Sequence, residues 1–523
     1  MAANQAWVPL LLVAFTAVFR AWTLAIKPPH FDEGINGWFV DQMVKDGYYS
    51  YDPANYHGPL HFYILFLFKA LFGRNLWALR MPTVIISTLT VWLVTRFDRF
   101  IDRRACWLAA LAMAVSPAME FYGRYAIHEA EMVFFLILAV WGGAGIWRYG
   151  GMQYVWAAAL GATGMVLTKE TYIIHFVAFA LAFPALFVLE IISPSDDSFP
   201  RARNVSYSPL DLGAVALVCL SLIIFFYSGN FLDFPLLKGL YQTFAEWINT
   251  GTKGKSGHEK DWWYWFKLVA EYEWPVIAGM AFTVCYIIPK SNRLIRYLMI
   301  YGWGAFTAYS IVSYKTPWCI ITIMWPFLFV FGHFFIAFVG KLPDKILWFA
   351  TSAMVAAPLL FSSFYLSDRL SFYRYVEESE DYVYVQTFKD IDKLTGPVFT
   401  LVARDRSNYN MKGHVIMDSA YPLPWVLGDF DRVGYYESTG ENRLPDPDDM
   451  DADFLVVDDD RQDDVEKLLK EDYFTEPFHL RASQDPVTLY LNYKTFHDLF
   501  PGRKPDFVQG VPVQSHKGDD DSL

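Results

Sequence analysis

The chain has 523 residues, of which 54% are hydrophobic, 18% aromatic and 19% charged, and its formal net charge is −12. A soluble domain needs more polar surface than that, so composition excludes an ordinary globular protein and points to a polytopic membrane protein. The negative sign argues against a nucleic-acid partner.

The first apolar run, 7–25, is long enough to span a bilayer. It lacks a charged n-region and a small-residue cleavage site, so it reads as a retained anchor. Ten further runs follow near 77–95, 105–122, 130–147, 153–168, 172–192, 212–229, 274–289, 297–313, 318–339 and 344–364. The run 59–72 is shorter and fits an interfacial helix, with Pro59 suited to its first turn. Leaving it out of the count puts Arg96, Arg99, Arg103, Arg104, Arg148, Arg201, Arg203, Lys290, Arg293, Arg296, Lys341 and Lys345 on the side of the N-terminus. That is the positive-inside pattern. The expectation is therefore eleven spans in a cytoplasmic (inner) cell membrane, with a cytoplasmic N-terminus. The same parity places 26–76, 121–131, 168–170, 230–273 and 313–318 on the outer face, so the polar residues of the membrane part, 1–364, gather at one surface.

Beyond residue 364 the chain turns mixed and acidic, which predicts a soluble extracytoplasmic α/β domain over 365–523. Strand-like patterns fall at 383–391, 397–405, 413–418, 453–460 and 487–493, and 463–473 reads as a helix opened by acids. The acidic run 458–464 lacks the glycine and closing glutamate of a calcium loop and reads as a solvated turn. Cys106, Cys219, Cys285 and Cys319 all lie in or beside apolar segments and are silent about compartment.

Chemistry-bearing residues cluster at the outer ends of the spans. Asp32 and Glu33 follow the first span, where a carboxylate is costly unless it has a partner or a task, and an ionised one can act as general base. His57 and His61 share a face if the 59–72 helix begins there, but no third ligand stands near them in sequence, so a metal is not favoured. Arg124, His128, Glu129 and Glu131 open the fourth span; Met132 stands where a zinc HExxH motif needs histidine. Lys169 and Lys315 sit at outer span ends and suit an anionic head-group. The loop 230–273 holds an aromatic run around Trp263 and a Gly/Lys/Ser-rich middle that lacks P-loop spacing. Aromatics there stack on sugars or anchor the loop at the interface.

This ordered set resembles the GT-C superfamily of membrane glycosyltransferases: Asp32-Glu33, His57-Gly58-Pro59-Leu60, Arg80-Met81-Pro82, Gly123-Arg124-Tyr125, Thr168-Lys169-Glu170 and Tyr314-Lys315-Thr316-Pro317-Trp318. More narrowly it is similar to the dolichyl-phosphate-mannose–protein mannosyltransferase and lipid A aminoarabinose transferase branch. Within that branch it resembles the archaeal and bacterial "flippase activity-associated" family, which shares the Tyr421-Pro422-Leu423-Pro424-Trp425 motif. The resemblance implies inverting transfer of a sugar from a polyprenyl-phosphate donor to a protein, lipid or glycan acceptor, with Asp32 as first and Glu33 as second choice of base. It implies Arg124, Lys169, Lys315 and His57 as donor-phosphate contacts, and His61, His128, Glu129, Trp263 and Tyr314 as sugar or acceptor contacts. The first loop lacks an Asp-x-Asp motif, so metal-free transfer is the expectation. A glycan flippase, or a non-catalytic member of a glycan-assembly complex, is the competing reading; charges at outer ends rather than the midplane favour the enzyme.

Overall fold

A computed structural model describes residues 7–509 apart from 56, 197, 204, 253–256, 287–290, 440–442 and 483. Tyr56, Lys290 and part of the Gly/Lys/Ser-rich loop thus lie outside the described residues. The chain forms two compact units, Met1–Ile26 with Gln42–Tyr384, and Lys27–Asp41 with Val385–Leu523.

The first unit is a multi-pass helical membrane assembly. Every one of the eleven expected runs carries helix: Trp7–Ala21, Leu76–Thr95, Arg103–Val115, His128–Arg148, Met152–Thr168, Tyr172–Ile192, Pro209–Tyr227, Trp274–Tyr286, Arg293–Ile311, Ile320–Val339 and Ala357–Asp368. Among the described residues, six helices are long and apolar enough to cross a membrane, or seven if the bent pair Arg103–Val115 with Pro117–Arg124 counts as one span. The 62° bend falls where Pro117 ends one backbone ladder and the Ser116 side chain caps the next by accepting the Met119 N–H. Leu60–Phe72 is a separate 13-residue helix, as expected of an interfacial segment.

Ile320–Val339 is apolar all round and lies at the centre of the core, packed on Arg103–Val115, Trp274–Tyr286 and Arg293–Ile311. Pro209–Tyr227 is equally apolar but only 11% buried across its span, the surface expected against lipid. His128–Arg148 and Met152–Thr168 pack closely against each other. A Cβ on Gly142 would fall 2.3 Å from the Ala158 nitrogen, and one on Gly161 2.5 Å from the Ala139 nitrogen. Without a hydrophobic drive between helices in lipid, such small-residue contacts supply the packing.

The first unit extends twenty residues past the expected boundary at 364 because 369–384 packs back on it. Arg369 pairs with Glu380 at 3.0 Å, the Tyr122 hydroxyl donates to the Tyr382 carbonyl at 2.9 Å, and Tyr382 stacks on Tyr272 at 4.4 Å.

The second unit is α/β. Strands β1 (Lys412–Ile416), β2 (Arg432–Tyr436), β3 (Phe454–Asp458), β4 (Tyr473–Phe478) and β5 (Val487–Asn492) form one sheet in the order β2-β1-β3-β5-β4. β1 runs parallel to β2 and β3, and β5 antiparallel to β3 and β4. Two expected strands are corrected. Residues 397–405 fall in the helix Ile391–Arg404, whose buried Ile391, Leu394, Val398, Leu401 and Val402 follow helical spacing that outweighs Pro397. Residues 383–391 make only an isolated bridge, Thr387 to Arg481. The acidic helix starts earlier than expected, at Asp459–Glu466, directly after β3.

Lys27–Asp41 joins this unit through the helix Phe31–Asp46. Gly34 and Gly37, one turn apart, lie flush against the Tyr421–Trp425 motif. A Cβ would sit 2.5 Å from Pro422 Cα in one case and 2.4 Å from the Trp425 ring in the other.

Candidate active site

The acidic pair is divided by local geometry. His30 precedes the helix Phe31–Asp46, and its Nδ1 accepts the Asp32 N–H at 3.1 Å, while the Glu33 carboxylate accepts the His30 N–H at 2.9 Å. This is a reciprocal capping box with histidine in the usual Ser/Thr place. Glu33 is fully buried in it. Asp32 is half-buried, and no hydrogen bond reaches its carboxylate among the described residues. Arg481 lies close enough to Asp32 to interact with its charge, and burial lowers the guanidinium to about 10 while Asp32 opposes that shift. Arg481 stacks over Phe31 at 4.4 Å and donates to the carbonyls of Ser419 (2.7 Å) and Tyr421 (3.0 Å).

In the first unit, four separate motifs converge on one buried polar cluster. His57 Nδ1 meets Glu170 at 3.0 Å and His61 Nδ1 meets Glu131 at 2.7 Å. Lys169 pairs with Glu129, and Cys319 approaches both, 3.9 Å from the ammonium and 3.7 Å from the carboxylate. The His128 ring lies between the other two imidazoles, 4.6 Å from His57 and 4.2 Å from His61. Gly58 brings these groups together: its N–H donates to the Thr168 carbonyl at 3.0 Å, so the histidine segment runs against the end of Met152–Thr168. Glu129, Glu131 and Glu170 outnumber Lys169, so carboxylates predominate in the cluster. His128 Nε2 and Glu131 Oε2 are buried with no hydrogen-bond partner among the described residues. Each such group is destabilising by about 1–3 kcal/mol, which packing alone does not require. The arrangement can hydrogen-bond sugar hydroxyls or phosphate oxygens through histidines oriented by carboxylates. Among the described residues no group of three His, Cys, Asp or Glu side chains has metal-holding geometry.

Lys315 and Tyr314 belong to a different neighbourhood. The Lys315 N–H donates to the His258 carbonyl at 3.0 Å, and its ammonium donates to the carbonyls of Lys260 (3.0 Å) and Val312. No carboxylate pairs with it among the described residues, and burial lowers its pKa against the pull of Asp261. Tyr314 packs on His258 at 5.1 Å and bridges to Glu259. Trp263 lines a nearby cavity of about 520 Å³ with Asp261, Lys267, Asp381 and Tyr384.

Arg124 stands apart from both groups. It is fully buried over Phe372 at 4.5 Å, faces Glu120 at 3.5 Å, and donates to the carbonyls of Phe19 (3.1 Å) and Thr23 (3.3 Å). Its geometry is that of a brace on the first helix.

Sequence reasoning did not single out Arg481, Cys319 or Glu273. Arg481 sits in an unremarkable stretch of the tail, and only the closeness of the residues before Gly34 to the Tyr421–Trp425 motif links it to Asp32. Cys319 adjoins the Tyr314–Trp318 motif, whose neighbours were readable. Glu273, at the end of the aromatic loop, accepts from Ser116 Oγ (2.8 Å), the Ala118 N–H (2.8 Å) and the Tyr382 hydroxyl (3.3 Å).

Residues 56–228 match the family model described as dolichyl-phosphate-mannose-protein mannosyltransferase. No curated protein matches by sequence. Among solved structures, ArnT from Cupriavidus metallidurans bound to undecaprenyl phosphate is similar with a TM-score of 0.58 at 12% identity, covering 93% of this chain and 98% of that one. The same protein in its apo state gives 0.57 at 13% identity, covering 94% and 99%. The chain thus shares the fold of these ArnT structures over nearly its whole length, and the mannosyltransferase family match lies in residues 56–228.

Proposed function

We propose that this chain is an inverting glycosyltransferase that moves a sugar from a polyprenyl-phosphate donor to an acceptor at the outer face of the cytoplasmic membrane. The observation that carries the reading is the split of the acidic pair: Glu33 is consumed as a helix cap, while Asp32 keeps an open carboxylate beside a fixed guanidinium. That the ArnT structure holds undecaprenyl phosphate supports a polyprenyl-phosphate donor by analogy of fold.

In this mechanism Asp32 takes the proton of the acceptor hydroxyl or amide as that group attacks the anomeric carbon. The bond from the anomeric carbon to the phosphate oxygen breaks, and its electron pair leaves on the lipid phosphate. Fixed cations offset the growing charge without reorganising, which is a large catalytic contribution in a water-poor site. Lys315 suits that role best, being a buried ammonium held by carbonyls. Lys169 and His57 already have carboxylate partners and act as oriented donors, and Arg124 contributes by holding the first helix. His61, His128 and Glu129 receive the sugar, and Trp263 and Tyr314 stack on sugar or acceptor. Transfer proceeds without a metal, since phosphate needs no acid to leave. The N-terminus is cytoplasmic and the C-terminal domain extracytoplasmic.

The test is transfer of radiolabelled sugar from a panel of polyprenyl-phosphate donors by the purified full chain, with Asp32→Asn and Glu33→Gln in parallel. D32N is expected to abolish transfer at unchanged melting temperature, and E33Q to lower melting first. Transfer retained in D32N removes Asp32 as base.

A further inference from the structure

His128–Arg148, which opens in the histidine cluster, and Tyr172–Ile192, which follows Lys169 and Glu170, build a second feature at their opposite ends. His128–Arg148 and Tyr172–Ile192 each have 21 residues, so their two ends are separated by about 30 Å at 1.5 Å per residue. At the far end lies a cavity of about 980 Å³ between these helices, the start of Arg293–Ile311 and the loop after Tyr172–Ile192. It runs alongside residues 139–147, a depth of about 12 Å. Its walls are apolar, with Phe179, Phe183 and Leu186 on one side and Gly143 opening the other, where an added Cβ would meet nothing within 4 Å.

The rim is basic and built. Arg201 and Arg293 flank the Trp147 ring at 5.4 and 5.6 Å. The Ala202 N–H donates to the Trp147 carbonyl at 2.7 Å, and Val205 packs over Gly150, which adopts φ +71° there, so the arginine-bearing loop is fixed to the helix end. Arg293 is paired with Glu190 at 2.6 Å. Arg201 and Arg203 are exposed and have no carboxylate partner among the described residues. Three arginines against one glutamate leave two positive charges at the mouth of a greasy slot. The positive-inside reading puts this mouth in the leaflet opposite to the proposed chemistry.

A soluble anion would use only the rim, and a neutral lipid only the walls. We infer that the cavity binds an anionic phospholipid, its phosphate on Arg201 and Arg203 and an acyl chain along Phe179, Phe183 and Leu186. The inference is independent of whether the chain transfers sugar. Each uncompensated arginine near an anionic headgroup is worth about fivefold in binding (about 1 kcal/mol), so two give a preference of about thirtyfold over a zwitterionic lipid.

The test titrates the delipidated full chain in detergent with phosphatidylglycerol and with phosphatidylcholine of the same acyl chains, reading occupancy by native mass spectrometry. The wild type is expected to prefer phosphatidylglycerol about thirtyfold. Arg201→Gln with Arg203→Gln should reduce that preference to near unity, and Arg103→Gln with Arg104→Gln, on the same membrane side, should leave it intact. Gly143→Leu, which fills the slot without touching charge, should weaken both lipids. Equal binding of the two lipids by the wild type, or an undiminished preference in R201Q/R203Q, overturns the inference. So does undecaprenyl phosphate displacing phosphatidylglycerol at a tenth of its concentration, because the site would then belong to the carrier lipid.

Discussion

Gly58→Ala isolates the contact that assembles the histidine cluster. The added Cβ would lie 2.2 Å from the Leu167 carbonyl oxygen, 2.4 Å from its carbon and 2.7 Å from the Thr168 nitrogen. Ordinary contacts between heavy atoms lie near 3.5–4.0 Å, so the two segments must part by about an ångström, and all three obstacles are backbone that no rotamer change can move. Overpacking of this kind is destabilising by about 1–3 kcal/mol. Separation also strains the 3.0 Å Gly58–Thr168 hydrogen bond, worth a further ~1 kcal/mol. The total is about 2–4 kcal/mol, with His57 drawn away from Glu170. Gly213→Ala is the matched control: it lies inside Pro209–Tyr227, where a Cβ meets nothing within 4 Å, and helix propensity favours alanine there. Thermal unfolding of the detergent-purified chain should show G58A melting well below wild type and G213A at or above it. A G58A protein that melts with wild type, and transfers sugar as well, would refute the close-approach argument.

Burial lifts the Glu273 carboxyl to about 7 against three hydrogen bonds that favour its ionised form. The folded value lies above the ordinary 4.5, so the native state binds more protons in that window, and stability falls as pH rises from about 4.5 to about 7 and then levels. Glu273→Gln should flatten that part of a melting-versus-pH curve and melt above wild type at pH near 8, by up to ~3 kcal/mol; an unchanged slope rejects the assignment. Lys169→Met strands a buried Glu129 and should destabilise by about 3–5 kcal/mol. Adding Glu129→Met should restore much of the melting temperature without restoring transfer, whereas recovery of both would make the pair purely structural. Arg481→Gln removes the donor to the Tyr421 carbonyl and one of two donors to the Ser419 carbonyl, which keeps Gln484, and should lower stability by about 1–3 kcal/mol. Arg481→Lys, which keeps charge but loses the fork, should recover less than half of that in the same melting assay.

Span-length apolar runs, the short helix at Leu60–Phe72 and three of the five strands were legible from local pattern, because hydrophobic periodicity and bilayer thickness act within a single segment. The same local signal misread 397–405, whose apolar run looks like a strand but belongs to the buried face of Ile391–Arg404. The convergence of His57, His128, Lys169 and the residue after Trp318 could be anticipated from alternating span direction, which sorts polar ends onto one side. Partner choice could not. Asp32 and Glu33 are chemically near-equivalent neighbours in the sequence, and only the turn at His30 makes one a cap and leaves the other open. Arg124 carries the same charge whether it grips a ligand or two main-chain carbonyls, and Arg481 reaches Asp32 only because Gly34 and Gly37 let Pro422 and Trp425 close on the acidic helix. Class, helices and the sidedness of charge follow from the solvent each segment must meet. Which charge meets which is set by packing between segments far apart in the chain, and that exists only once the fold has formed.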